Sequence, residues 1–156
     1  MASSNSGKLE VEVDVKSHPD KVWDALKNFI FIYPKALPHD YKSVEVLEGD
    51  GIAVGSVRLI TYGDGSPIVK VSKEKIEHID AQNKTFTYNV IDGDLLKYYK
   101  SFKAHVTVVP KGDGTLVKWS CDYEKDSDEI PIPNEVKDFA VKNFIELDEY
   151  IRKESN

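Results

Sequence analysis

The stretch that most constrains the fold is an amphipathic segment from Asn134 to Lys153. Its apolar side chains recur at helical spacing and form one broad stripe, in which Asn143 is the only polar member. The stripe consists of Val136, Phe139, Ala140, Phe144, Leu147, Tyr150 and Ile151. Val141 and Ile145 lie off the stripe and need a second contact. A helix of about twenty residues spans roughly 30 Å, so we expect the preceding residues to supply a broad apolar surface.

Those preceding residues favour strands, because apolar and polar residues alternate with a period of two. We predict strands at about 9–16, 42–48, 56–62, 68–80, 85–91, 98–109 and 116–124. Between the first two strands, we predict a helix capped by Ser17 and a second short helix, Ile30 to Leu37, broken at Pro34. This order is typical of an α+β fold in which a seven-stranded antiparallel sheet curls around the last helix. We expect one domain over 1–156, with 1–6 flexible.

Composition excludes several classes of partner. A chain of 156 residues with 40% hydrophobic and 31% charged residues is typical of a soluble globular protein. The net charge of -6 argues against binding to a nucleic-acid backbone, and the longest apolar run, Phe29 to Tyr33, is too short to span a membrane. Cys121 is the single cysteine, so it forms no internal disulfide, and the first seven residues lack a secretory signal. We therefore expect a cytoplasmic protein without nucleic-acid or membrane partners.

The strand faces predicted to point inward carry unusual polar groups. Tyr62, Tyr88 and Tyr123 each share a face with apolar residues, and a buried tyrosine hydroxyl needs a partner. Such residues suit an apolar cavity with a few placed polar groups better than a dry core. The alternative is that some of the three lie at a rim with their hydroxyl groups in water.

Arg58 has two possible orientations. If it points inward with the apolar residues of its strand, its charge requires a carboxylate ligand or an internal acid such as Glu74 or Asp138. If Val57 and Leu59 point inward instead, Arg58 is a solvated surface group. The sequence leaves both registers open.

Other motifs give weaker chemical signals. The glycine loop at 49–55 lacks the Lys-Ser/Thr pair of a nucleotide-binding loop and joins two strands, which indicates a turn. The four histidines have no metal-ligand spacing, and His105 and Lys118 are predicted on the outer sheet face. Cys121 is predicted to be a small core residue, and His39 to lie near a cavity mouth. We expect neither a metal nor a cofactor.

A set of motifs in fixed order carries a family resemblance. The motifs are Gly49-x-Gly51-x-x-x-Gly55-Ser56, Tyr62, Val90-Ile91-x-Gly93, Tyr98-Tyr99-Lys100-x-Phe102, Lys118-Trp119-Ser120-x-x-Tyr123-Glu124-Lys125 and Lys137-Asp138-Phe139. Over about 7–153 the chain resembles the major latex protein-like branch of the plant birch-pollen-allergen, or pathogenesis-related, superfamily. The resemblance implies a START-like, helix-grip fold with a large hydrophobic cavity between sheet and helix. It also implies ligands such as steroids, flavonoids, hormones or alkaloids, and a few relatives are enzymes.

We therefore expect a defence- or stress-related carrier or sensor for a small hydrophobic plant metabolite or hormone-like ligand, as a monomer or weak dimer. The expected lining is Arg58, Tyr62, Phe86, Tyr88, Phe102, Trp119, Tyr123, Phe139 and Phe144. The alternative is a cofactor-free isomerase, cyclase or lyase acting on a reactive terpenoid or alkaloid intermediate. Its catalytic candidates are Tyr62, Tyr88, Tyr123 and Arg58. An inward ionisable residue with a hydrogen-bonded partner would favour the enzyme. A third hypothesis, a protein-interaction module, would use the acidic loop at 126–129.

Overall fold

One curved antiparallel sheet forms the wall of the molecule. The computed structural model describes residues 5–66 and 69–154. Over these residues the strands are β1 (Ser6–Val15), β2 (Tyr41–Glu48), β3 (Val57–Tyr62), β4 (Val71–Asp80), β5 (Thr85–Gly93), β6 (Tyr99–Lys111) and β7 (Gly114–Lys125). Their order in the sheet is β1-β7-β6-β5-β4-β3-β2. The predicted seven-stranded α+β fold is confirmed, while the predicted strand start at Ile68 and residues 1–4 lie outside the described residues.

Three α-helices cover the inner face of this sheet in the described part of the chain. They are α1 (Pro19–Lys27), α2 (Phe29–Ala36) and α3 (Asn134–Glu154), and a 3₁₀ turn that the sequence did not indicate lies at Asp94–Lys97. The predicted long helix is confirmed over its whole predicted length and extends one residue further, to Glu154. Its stripe is buried at Phe144, Leu147 and Ile151. Val141 packs against the core, whereas Ile145 is exposed.

The start of α1 differs from the prediction. The N-cap is His18, whose Nδ1 accepts a hydrogen bond from the Asp20 N–H, so the assignment of Ser17 as the cap is wrong. Ser17 is buried, and its N–H donates to Asp148 of α3 at 2.9 Å. Its carbonyl accepts a hydrogen bond from the Thr115 hydroxyl at 2.6 Å. A distant carboxylate thus binds the chain just before α1 and moves the cap by one residue.

The second helix also departs from the prediction. Pro34 lies inside α2 and does not break it. A proline in a helix removes one hydrogen bond to the residue four positions earlier, here the carbonyl of Ile30. α2 nevertheless buries Tyr33 and contacts β2, α1 and α3. Tertiary packing therefore outweighs the local cost of the proline, and α1 and α2 form a wedge beside α3.

The middle of the sheet contains a densely buried apolar layer. Phe102, Ala104, Val117, Trp119 and Cys121 are each exposed by 2% or less. Their alternation along β6 and β7 agrees with the predicted inward faces. Burial raises the pKa of the Cys121 thiol to about 12, so this thiol stays protonated at neutral pH and behaves as a core group.

Candidate functional site

Two adjoining cavities lie between the inner sheet face and the helices in the described part of the chain. The first, which we call the Phe102 cavity, is lined by Tyr62, Ser66, Val69, Ser72, Glu74, Tyr88, Val90, Leu95, Phe102, Glu135, Val136 and Phe139. The second, the Arg58 cavity, is lined by Leu26, Phe29, Tyr33, Tyr41, Arg58, Tyr62, Glu74, Phe86, Tyr88, Val106, Trp119, Ala140, Asn143 and Phe144. Tyr62, Glu74 and Tyr88 line both cavities, so these side chains form the partition between the Phe102 cavity and the Arg58 cavity.

Both cavities are small in this conformation. The volume that the centre of a water molecule can occupy is about 50 Å³ in the Phe102 cavity and about 70 Å³ in the Arg58 cavity. All unfilled space, counted with the open mouths, amounts to about 440 and 520 Å³. Sites for drug-sized ligands usually hold roughly 300–1,000 Å³. The volumes to compare with this range are the water-accessible ones of about 50 and 70 Å³, which are far smaller. The structure therefore has a narrow, divided cavity where the resemblance implies a large one, and a sizeable ligand has to displace side chains.

Of the two registers that the sequence left open, the structure has the one in which Arg58 points inward. Its side chain is 5% exposed and its Nη2 donates to Glu74 Oε1 at 3.3 Å. The two residues are directly opposite each other on β3 and β4, which places both side chains on the same sheet face. The guanidinium also lies 4.6 Å from the centre of the Phe29 ring, a cation–π contact. Glu74 is therefore the internal acid that Arg58 requires, whereas the side chain of Asp138 is 73% exposed.

Strict alternation nevertheless fails at the start of β3. Val57 is buried to the same degree as Arg58, although adjacent residues of a regular strand point to opposite faces. Opposite this position, the pairing of β2 shifts between Val46 and Glu48, which is typical of a β-bulge. The bulge explains why parity could not decide the register from the sequence.

Burial controls the protonation of the polar groups around the Arg58 cavity. It raises the pKa of the Glu74 carboxyl, and the charge and hydrogen bond of Arg58 work against that shift. It also raises the pKa of the phenols, and the Glu74 charge raises it further. The phenols affected are Tyr33, Tyr41, Tyr62 and Tyr88. All four remain neutral hydroxyl groups at physiological pH, so they can donate or accept hydrogen bonds.

A buried hydrogen-bond chain joins the Arg58 cavity to the protein surface. The Tyr41 hydroxyl donates to Asn143 Oδ1 at 2.8 Å, and Asn143 Nδ2 donates to Asp40 Oδ2 at 2.9 Å. Lys142 Nζ lies 2.9 Å from both oxygens of Asp40. We call this chain the Asp40 latch, because it fastens the α2–β2 loop to the middle of α3. The latch also explains why Asn143 is the single polar residue on the apolar stripe of α3. This exception in the stripe was the feature of the sequence that could have indicated a buried polar contact.

Eight of the nine predicted lining residues contribute to at least one of the two cavities. Tyr123 differs, since neither lining includes it among the described residues. Its ring packs edge-on against Tyr99 at a centroid distance of 5.9 Å, and a side chain at Gly7 would collide with its hydroxyl group. Tyr33 and Tyr41 also line the Arg58 cavity, although no cavity wall was predicted on α2 or at the start of β2. Asn143 lines it as well, and was predicted only as the polar member of the α3 stripe.

The other candidate side chains lie away from the cavities. His105 is on the outer sheet face as predicted, where its ring nitrogens lie 2.9 Å from Thr87 Oγ1 and 2.8 Å from Asp122 Oδ2. Lys118 is also outward and approaches Glu12 at 3.8 Å. His39 is exposed beside the Asp40 latch. None of these groups therefore faces a molecule held between sheet and helix.

The loop that precedes α3 is anchored to the start of β6. The Tyr99 hydroxyl donates to the Pro131 carbonyl at 2.7 Å, Pro133 is buried, and Ile132 is 44% exposed.

Across residues 5–66 and 69–154, His, Cys, Asp and Glu side chains form no cluster of three suited to a metal ion. Within the same ranges, no helix has the length and apolar character required to cross a membrane.

A curved antiparallel sheet that grips a long C-terminal helix around internal cavities defines the helix-grip class of ligand-binding folds. The chain belongs to the pathogenesis-related protein Bet v 1 family, whose model matches residues 4–154. It is similar to MLP-like protein 423 of Arabidopsis thaliana, with 55% identity over 151 residues that cover 97% of each chain. The resemblance to the major latex protein-like branch is thereby confirmed.

Solved structures agree with this assignment. Major latex-like protein 151 of Panax ginseng has a TM-score of 0.87 at 28% identity, covering 94% of this chain and 98% of that one. Norcoclaurine synthase from Thalictrum flavum, in complex with dopamine and hydroxybenzaldehyde, has a TM-score of 0.73 at 21% identity, covering 95% and 87%. At that identity the second likeness supports the fold alone.

Proposed function

We propose that this protein binds a small, mainly apolar metabolite across the Phe102 and Arg58 cavities and acts as a carrier or sensor in plant defence or stress responses. The observation that carries the proposal is the shared partition. Two cavities with aromatic and aliphatic walls meet at Tyr62, Glu74 and Tyr88, so a modest rearrangement makes one site. Apolar walls with a few placed polar groups are typical of small-molecule sites. Membership in the family supports the same function.

The rearrangement has an identifiable place. Tyr62 belongs to the partition and Phe139 to the wall that α3 forms, and their ring centroids lie 5.9 Å apart. Both side chains are only partly buried, in contrast to Phe102 and Trp119 behind them. Rotation of a half-buried ring forfeits fewer packing contacts than movement of a fully buried one. We therefore expect a ligand to displace Tyr62 and Phe139 first.

A blocking variant tests whether the cavities bind ligands. Ala140 lines the Arg58 cavity from α3, and Ile145 is exposed on the same helix. We expect Ala140→Trp to fill the cavity and to weaken binding of prodan, an uncharged naphthalene dye, at least about tenfold. The matched control Ile145→Trp should bind as the wild type does. The measurement is dye fluorescence, with thermal unfolding to confirm that both variants fold. Equal binding by all three proteins would contradict the proposal.

An enzyme remains the second candidate, and a specific observation favours it. Glu74 is an inward ionisable group with a hydrogen-bonded partner, the feature expected of a catalyst. A carboxyl group with a raised pKa beside neutral phenols can transfer a proton to or from a bound molecule. The corresponding reaction class is a cofactor-free isomerisation, cyclisation or lyase reaction, with Tyr62, Tyr88 and Arg58 as positioning or polarising groups.

One experiment separates the two candidates. Purified protein is mixed with a metabolite extract of the source tissue, followed by native mass spectrometry and comparison of the extract before and after. A retained molecule with an unchanged extract supports the carrier or sensor. New products in excess over the protein support the enzyme, and Tyr62→Phe should then lower turnover more than binding. With neither result, the cavity proposal loses its support and a protein partner becomes the better hypothesis.

A further inference from the structure

The Arg58–Glu74 pair has unused hydrogen-bonding capacity inside the cavity. The two side chains are only 5% and 7% exposed, and one hydrogen bond of 3.3 Å joins them. Among the described residues, Arg58 Nε is buried without a hydrogen-bond partner. A buried donor without a partner is costly, and native proteins rarely leave one unless water or a ligand completes it. Because both residues line the Arg58 cavity, a molecule held there can supply the missing acceptor.

The charge of the pair is already balanced, which limits what that molecule can be. A carboxylate ligand would place a second anion beside Glu74 in a region of low dielectric, and a single guanidinium would have to serve both. A hydroxyl group meets no such repulsion. It can accept a hydrogen bond from Arg58 and donate one to Glu74.

The remaining charges around the cavities also disfavour an anionic ligand. The charged side chains in the described lining are Arg58, Glu74 and, at the Phe102 cavity, the exposed Glu135. The lining therefore has an excess of one negative charge, and Lys142 beyond it is bound to Asp40. An anionic ligand gains no second cation from these residues.

We propose that the Arg58–Glu74 pair makes the site select uncharged ligands that carry a hydroxyl or phenol group over carboxylates of the same size and shape. This inference rests on the ligand-binding function proposed above and adds the chemical class of the ligand. The pair thus acts as a neutral hydrogen-bonding clamp, and Glu74 determines the charge that the site accepts.

Naphthol and naphthoate test the selection, because they share a ring system and differ in charge at neutral pH. We expect the wild type to bind naphthol at least about tenfold more tightly than naphthoate in calorimetric titrations. Glu74→Gln removes the anion and leaves the Arg58 charge uncompensated, so the preference should reverse. The matched control is Glu77→Gln, which also removes the carboxylate of an ion pair on β4, with Lys103 at 2.7 Å, but lies outside both cavity linings. It should keep the preference for naphthol.

A second variant covers the case in which Glu74→Gln does not fold. Replacing both Arg58 and Glu74 by methionine removes the two charges together, which proteins usually tolerate better than breaking a buried pair. This double variant should still bind prodan and lose about tenfold in affinity for naphthol. If the wild type binds prodan but takes up naphthoate as tightly as naphthol, the selection is overturned while the ligand-binding function stands. If the wild type binds none of the three probes, the ligand-binding function itself fails.

Discussion

The two halves of the sheet differ in regularity and in chemistry. Strands β6 and β7 pair continuously from Lys111 and Gly114 to Ser101 and Glu124, and their inner face is apolar and almost fully buried. By contrast, the β2–β3 and β4–β5 pairings each contain two register shifts, and the inner face there carries the Arg58–Glu74 pair. The cavity-lining polar groups belong mainly to the irregular half. Continuous pairing therefore accompanies the dry core, whereas the candidate site lies between two irregular pairings. The β3–β4 pairing that carries Arg58 and Glu74 is itself continuous.

The largest expected effect concerns the charged pair of the irregular half. Arg58→Met leaves the Glu74 carboxylate buried without its partner, which typically costs about 3–5 kcal/mol. Substituting methionine for both residues should cost far less. Urea unfolding at neutral pH measures both. A single variant that is as stable as the double variant would show that the pair is hydrated and that the irregular half is wetter than its burial indicates.

The next effect belongs to the dry core. Leu147 is 1% exposed on α3, and Leu147→Ala should lower the free energy of unfolding by about 2–5 kcal/mol. Phe139→Ala on the same helix should cost less despite the larger side chain, because Phe139 is only partly buried and borders empty space. Chemical denaturation of the two variants ranks them. The reverse ranking would remove the energetic distinction between core and cavity wall.

The pH dependence of stability should have opposite signs at two buried acids. Burial raises the pKa of Glu74, so its contribution to stability is fully present below the unfolded pKa and is lost as the pH rises through the folded value. Burial also opposes ionisation of Asp148, but hydrogen bonds from Ser17 and Lys16 together with Arg152 outweigh it and lower its pKa. The Asp148 contribution is therefore present above the unfolded pKa and is lost on acidification.

Asp148→Asn checks the second sign. The variant should be less stable than the wild type at neutral pH, and the difference should shrink as the pH falls below the ordinary aspartate pKa of 3.8. Thermal unfolding across acidic and neutral buffers provides the measurement. A difference that is constant with pH would mean that the hydrogen bonds of Asp148, and not its charge, stabilise the junction between α3 and α1.

The smallest effect is expected on the outer face of the regular half. Lys118 is an exposed residue of β7 whose ion pair with Glu12 has a separation of 3.8 Å. Lys118→Ala should change the free energy of unfolding by less than about 0.5 kcal/mol, since exposed ion pairs contribute little. A larger loss in urea unfolding would indicate that this face takes part in a contact beyond the pair itself.

The difference between the regular and the irregular half of the sheet also explains which features of the fold the sequence could predict. The helix α3 and the inward faces of β6 and β7 were predictable because a periodic pattern over many residues averages out local exceptions. The orientation of Arg58 was not, since a bulge in the partner strand β2 interrupts the alternation. Ser17 failed as a cap because its N–H binds Asp148, 131 positions away in the chain.

The site itself was predicted only in part. Strand parity placed the rings of Tyr62, Tyr88 and Phe102 correctly, because parity depends on backbone geometry alone. Parity also placed Tyr123 on an inward face, but the packing of Tyr99 and Gly7 decides what that ring touches. Cavity volume depends on how side chains from different elements fill the space, and no local pattern in the sequence records it.

The Asp40 latch has a consequence for how the molecule can open. It holds the middle of α3 to the α2–β2 loop and the start of β2 by one ion pair and two hydrogen bonds across about one hundred residues of sequence. The first turns of α3 carry Val136 and Phe139, and the preceding loop is held by the Tyr99–Pro131 hydrogen bond. We expect the latch to fix α3 at Asn143, whereas the first turns of α3, which border the Phe102 cavity, can move more easily. Widening of the cavities is therefore expected to begin at Phe139 and to leave Asn143 in place.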